Sequence, residues 1–105
     1  PGQVPVPAPA TVLAAPVPAE VVGDDGAPVT VSGRGLPSSP PAHLSIEGRR
    51  PEAVVAWAGP WPADERWWDP QAHRRRARWQ LVTASGAAHL LTLEAGRWSV
   101  EATYD

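Results

Sequence analysis

The feature that most constrains the fold of this chain is a strict alternation of apolar and polar side chains from Arg97 to Tyr104. Successive side chains of a β-strand point to opposite faces, so a period of two predicts a strand with one buried face. The side chains predicted to point inward are Trp98, Val100, Ala102 and Tyr104. The side chains predicted to point outward are Arg97, Ser99, Glu101 and Thr103.

Similar alternation continues upstream, and short glycine turns separate the segments. The predicted strands cover residues 20–22, 29–32, 42–47, 52–58, 77–84, 88–94 and 97–104. Ser85-Gly86 and Ala95-Gly96 join the last three, and Asp25-Gly26 is typical of a hairpin turn. Such a chain cannot leave the apolar face of a single sheet in water. We therefore expect a mainly β fold, a small antiparallel barrel or sandwich of six to seven short strands.

Two segments of the middle region predict particular elements, an enclosed strand and a short helix. The segment from Glu52 to Ala58 is apolar on both faces, which favours a central or enclosed strand. One of its faces would carry Ala53, Val55 and Trp57. Further on, Asp69-Pro70 is typical of a helix N-cap followed by proline at the first helical position. At most one short helix is therefore expected, over residues 70–75.

The N-terminal residues 1–18 have a different composition from the rest, because proline alternates there with valine and alanine. Proline fixes φ and removes a backbone donor, so this segment is predicted to be an extended linker of polyproline-II type. Within it, only Thr11 to Ala15 has the composition of an edge strand. The predicted organisation is a linker over 1–18 and one small Trp-rich β domain over 19–105.

Composition argues against several classes of function. The chain has no cysteine, so it offers neither a disulfide framework nor a thiolate metal site. His43, His73 and His89 do not have the paired spacing of metal ligands, and they are expected to be solvated or locally bonded. No phosphate-binding loop or nucleophile motif is present. We expect no enzyme, no cofactor and no metal, and the lack of a long apolar run argues against a membrane partner.

A Trp-rich crossing, residues 57–70, holds four of the six tryptophans. Trp57, Trp79 and Trp98 lie on predicted inward strand faces and are expected in the core. For the others two interpretations stay open, a lid that packs on the core or an interface that binds a partner, where tryptophan and arginine are enriched. The candidate partner-binding residues are Trp61, Arg66, Trp67 and Trp68.

A basic run follows the crossing, and its arginines are candidate nucleic-acid contacts: Arg74, Arg75, Arg76 and Arg78. Arginine beside exposed indoles is typical of surfaces that bind single-stranded nucleic acid. The alternative is that these arginines are solvated or paired with nearby Asp64, Glu65 and Asp69. The net charge of −2 gives the chain no overall attraction to a polyanion.

Residues 55–70 and 96–105 resemble the extreme C-terminus of actinobacterial ImuB proteins, and Ser32-Gly33-Arg34-Gly35-Leu36 also fits that pattern. This family comprises inactive homologues of Y-family DNA polymerases that act in damage-induced, error-prone translesion synthesis. The resemblance covers roughly residues 19–105. It implies a cytoplasmic protein that is associated with the nucleoid when it is engaged.

The resemblance also implies partners. In that family the C-terminal region is associated with recruiting the RecA-like accessory protein ImuA and an error-prone replicative-type DNA polymerase. The clamp-binding peptide of the family has no match here, since Gln3 is followed by Val4-Pro5-Val6. The sequence therefore leads to a non-catalytic protein-interaction module of a translesion mutasome. The alternatives are a module that binds single-stranded or template DNA, and a structural cap without a partner.

Overall fold

A computed structural model describes residues 10–62 and 76–104 of the chain as a closed antiparallel barrel. Its strands β1 to β6 are, in order, Ala10–Val22, His43–Ile46, Glu52–Pro62, Arg76–Thr83, Ala88–Glu94 and Arg97–Tyr104. Each strand pairs with the next, and β6 pairs with β1 to close the ring. The predicted mainly β fold is therefore confirmed as a barrel of six strands. The part of the chain described contains no helix, and the predicted helix over 70–75 lies outside it.

Side chains from strands and from one loop form the core. The fully buried apolar members, all at most 1% exposed, are Val21, Val29, Leu44, Trp79, Leu81, Leu91 and Val100. Their alternation on β4 and β6 is the period of two that the sequence shows. Each buried aliphatic side chain of this kind contributes about 1.5–3 kcal/mol relative to full exposure. Burial of one face around a closed ring is what holds the strands together.

Strand β1 begins earlier than predicted. Residues 10–18, which the sequence assigned to a linker, form the first part of β1 and pair with β6, so that boundary is wrong. Pro16 is tolerated because it lies in the bulge where the register shifts between Val12 and Val17, whereas Pro18 lies outside the bulge, opposite Ser99. Proline in a sheet is confined to edges and bulges because it cannot donate to the ladder. Residues 1–9 lie outside the described part of the chain.

The predicted hairpin near residue 25 forms only in part. The Asp25-Gly26 turn is present, and the Gly26 amide donates to the Gly23 carbonyl at 2.9 Å. Residues 29–32, however, are not a strand, and only isolated bridges such as Val22 to Pro28 occur in this region. Prolines along residues 28–41 remove the donors that a continuous ladder needs. The segment is instead a loop that inserts Val29 into the core.

Strand β6 changes phase at a bulge. Val100 lies opposite Leu91, but Ala102 lies opposite Leu90, so Glu101 is an extra residue. Beyond the bulge Thr103 lies opposite His89, and its hydroxyl is 2.9 Å from His89 Nδ1. The inward prediction is confirmed for Trp98, Val100 and Ala102, which are all at most 6% exposed. Tyr104 lies beyond the bulge and is only partly buried, because an extra residue changes the phase of the side chains that follow it.

Candidate interaction surface on strand β3

Strand β3 exposes an unusual amount of apolar side chain. In the described part of the chain the exposed large apolar residues are Leu36, Val55, Trp57 and Trp61, and three of them lie on β3. Single exposed apolar residues are common on soluble domains, but clustering of large ones on a single element is typical of interaction sites. We call Val55, Trp57 and Trp61 the β3 surface.

A bulge determines which valine of β3 is exposed. The register shifts between Val54, which lies opposite Thr83, and Ala56, which lies opposite Val82. Val54 packs against the core, whereas Val55 is 63% exposed. The predicted inward face containing Ala53 and Val55 is therefore wrong, because the extra residue breaks the alternation.

Trp57 lies between core and surface. It is opposite Leu81, and its ring centroid is 5.7 Å from that of Trp79 at an interplanar angle of 43°. Its side chain nevertheless stays 40% exposed, so the predicted core position is wrong for this residue. Trp79 and Trp98 are core as predicted, with centroids 5.1 Å apart. Three indoles thus run in contact from the surface into the barrel.

Gly59 lies where the backbones of β3 and β4 come close together, two residues before Trp61. It has a φ of 113°, a region that residues with a Cβ rarely adopt. A Cβ at this position would lie 2.7 Å from the Arg78 carbonyl oxygen and 3.5 Å from Cε3 of Trp61. The missing side chain therefore lets β3 approach the backbone of β4 closely at Arg78. Trp61, two residues further along β3, remains 45% exposed.

Trp61 and Arg78 are cross-strand partners, which brings the two kinds of predicted contact residue together. Arg78 Nε lies 3.6 Å from Glu101 Oε1, and Arg76 Nε lies 3.8 Å from Glu94 Oε1. All four side chains are partly exposed, so each pair is worth at most about 1 kcal/mol. The two arginines are thus ion-paired, and their charge is largely balanced locally.

The other candidates from the sequence are not placed. Those that lie outside the described residues are Arg66, Trp67, Trp68, Arg74 and Arg75, together with His73. Sequence reasoning also missed two positions of the β3 surface, Val55 and Trp57, because both were assigned to an inward face. No local signal marks the bulge that exposes Val55, since it arises from pairing with β4.

The described residues hold no group of three or more His, Asp or Glu side chains that would suit a metal ion. The same part of the chain has no helical span able to cross a bilayer. Comparison with protein-family models, with curated proteins and with solved structures finds no match to this chain.

Proposed function

We propose that this chain is a non-catalytic protein-interaction module that binds a partner protein through the β3 surface. The observation that supports this most is the position of the exposed large apolar side chains: Val55, Trp57 and Trp61 all lie on one strand. Tryptophan is the residue type most enriched among side chains that dominate binding energy. Exposed indoles on a paired strand are a reason to expect a partner.

The strand also presents these side chains on a paired backbone. β3 pairs with β4 from Val54 to Pro62, whereas β2 pairs only with Glu52 and Ala53. A segment whose backbone is already ordered loses less conformational entropy on binding, so more of its contact energy appears as affinity. Trp61 is therefore the expected anchor of the interface.

The partner class comes from the resemblance to the C-terminus of ImuB proteins. On that basis the module belongs to a mutasome for damage-induced, error-prone translesion synthesis in the cytoplasm. Its partners would be the RecA-like accessory protein ImuA and the error-prone replicative-type DNA polymerase. The proposal rests on residues 55–70 and 96–105, which carry the resemblance.

A second function, binding of single-stranded DNA, is favoured by one observation, the cross-strand pair of Trp61 and Arg78. A base can stack on an indole while a guanidinium contacts the phosphate. Against this, Glu101 and Glu94 already pair with the described arginines Arg78 and Arg76. A DNA interface would have to displace these carboxylates, which makes protein binding the better supported function.

The two functions are distinguished by one binding experiment on the full chain. The chain is immobilised and titrated with the ImuA-type protein, with the polymerase, and with single-stranded DNA at low and high salt. We expect saturable binding of one protein that Trp61→Ala weakens at least about 30-fold, the loss of ~2 kcal/mol typical of an anchor. Leu36→Ala is the matched control, since Leu36 is also exposed but lies in the 23–42 loop.

Other outcomes would overturn the proposal. Circular dichroism must first show that the Trp61→Ala variant stays folded. Equal partner binding by the wild type, Trp61→Ala and Leu36→Ala would then exclude β3 as the interface. Binding of DNA alone, with an affinity that falls steeply with salt, would establish the second function instead.

A further inference from the structure

The end of the barrel where β5 begins and β6 ends contains a cavity of about 380 Å³. Two bulges lie beside it. On β1, five residue steps from Val12 to Val17 are set against two steps of β6, and Leu13 and Val17 from this irregular stretch line the cavity. On β6, the extra residue Glu101 turns Thr103 toward His89. Bulges that redirect side chains are over-represented beside functional sites.

The inner surface of this cavity is mixed in character. Leu13, Val17 and Val100 provide apolar wall, whereas His89 and Thr103 are polar and bonded to each other at 2.9 Å. His89 is only 5% exposed. Burying an imidazole beside a hydroxyl costs free energy that an aliphatic pair would not cost. The part-buried pair of His89 and Thr103 therefore gives the cavity wall polar groups that packing of the strands does not require.

The mouth of the cavity carries charges of both signs. Arg49, Arg50, Glu47 and Glu52 line it, on and beside the turn between β2 and β3. Glu47 and Gly48 both have positive φ, and the Arg49 amide donates to the Ile46 carbonyl at 2.9 Å. This is a tight hairpin turn of the primed kind. Within the described chain none of these four charged side chains is ion-paired.

We propose that this cavity binds a small zwitterionic ligand with an apolar side chain, of the class of apolar amino acids and dipeptides. The guanidinium groups suit a carboxylate, and the glutamates suit an ammonium group. The apolar wall suits an aliphatic or aromatic side chain. The volume lies at the low end of the range for small-molecule sites, and the mouth of a β-barrel is a common place for them.

The proposal does not depend on the β3 surface, and a series of matched probes tests it. The full chain is titrated by calorimetry and by NMR with L-leucine, L-phenylalanine and the Leu-Leu dipeptide. N-acetyl-L-leucine lacks the ammonium group, and L-leucinamide lacks the carboxylate. We expect the dipeptide to bind with a Kd of ~1 mM or below, and each of the two neutralised analogues to bind at least about 10-fold more weakly than L-leucine. The imidazole signals of His89 should shift on binding.

Variants locate the site. Arg49→Gln and Arg50→Gln are each expected to weaken binding at least about 5-fold, the effect of removing a charged hydrogen-bond partner. Arg34→Gln, in an exposed loop that does not line the cavity, is the control and should bind as the wild type does. Ala87→Phe adds a large side chain to the cavity lining and should abolish binding. Binding that survives Ala87→Phe, equal affinity for the neutralised analogues, or no binding at ~10 mM ligand would each overturn the proposal.

Discussion

The indole Nε1 of Trp98 donates a hydrogen bond of 2.9 Å to the backbone carbonyl of Val29, 69 residues earlier in the chain. Both residues are buried, and the Val29 amide donates in turn to the Val21 carbonyl at 2.9 Å. These bonds hold the loop of residues 23–42 against the barrel at Val29. Trp98 thus joins the last strand to a loop that has no regular ladder of its own.

This bond should make Trp98 more sensitive than Trp79 to the same substitution. Trp79 is fully buried, but its Nε1 has no hydrogen-bond partner among the residues that the structure describes. Trp98→Phe leaves the Val29 carbonyl without its donor, whereas Trp79→Phe removes an unsatisfied donor. Because the volume lost is the same, we expect Trp98→Phe to lower the free energy of unfolding by about 1–2 kcal/mol more. Denaturant titration measures the difference, and an equal or larger loss for Trp79→Phe would contradict this account.

Introducing a charged side chain at a buried or an exposed strand position tests which faces of the strands are buried. Val100 is 1% exposed, so Val100→Asp places an unpaired carboxylate in the core and should cost at least about 3 kcal/mol. Val55→Asp is the matched control, because Val55 is 63% exposed and should lose less than about 1 kcal/mol. Thermal unfolding followed by circular dichroism compares them. A folded Val100→Asp domain with unchanged stability would show that Val100 does not face the core.

Replacing Gly59 by alanine should lower the free energy of unfolding more than the same replacement at a glycine in an open turn. Gly86 also has a positive φ, 92°, but an added Cβ there meets nothing within 4 Å. Gly86→Ala therefore reports the backbone strain alone, about 1–2 kcal/mol. Gly59→Ala adds the clash with the Arg78 carbonyl and should cost at least about 1 kcal/mol more than Gly86→Ala. Equal free energies of unfolding for the two variants would show that β3 can move away from β4 at no cost.

A substitution in the turn between β5 and β6 should stabilise the protein. Ala95 adopts a φ of 53° between β5 and β6, and Gly96 follows it at 76°. Asn-Gly is the preferred pair for such a primed turn, so Ala95→Asn should raise the free energy of unfolding by about 0.5–1 kcal/mol. Ala84→Asn is the control, since Ala84 lies in a turn without positive φ. A melting temperature of Ala95→Asn at or below that of the wild type would count against this interpretation.

The sequence by itself determined the class of fold, because the signals for it are local. Alternation along Arg97–Val100 and the Ala95-Gly96 turn depend only on neighbours in the chain, and the structure confirms both. The buried positions of Trp79 and Trp98 followed from the same periodicity. A period of two needs no knowledge of the partner strand.

Tertiary structure decided the features that depend on pairing between distant strands. The exposure of Val55, the pairing of Thr103 with His89 and the place of Pro16 in β1 all arise at register shifts. A bulge is the mismatch between two strands, so no single segment encodes where the alternation breaks. Closing six strands into a ring fixes the positions of those mismatches. One of them exposes Val55 on β3, and two others lie beside the cavity at the end of the barrel.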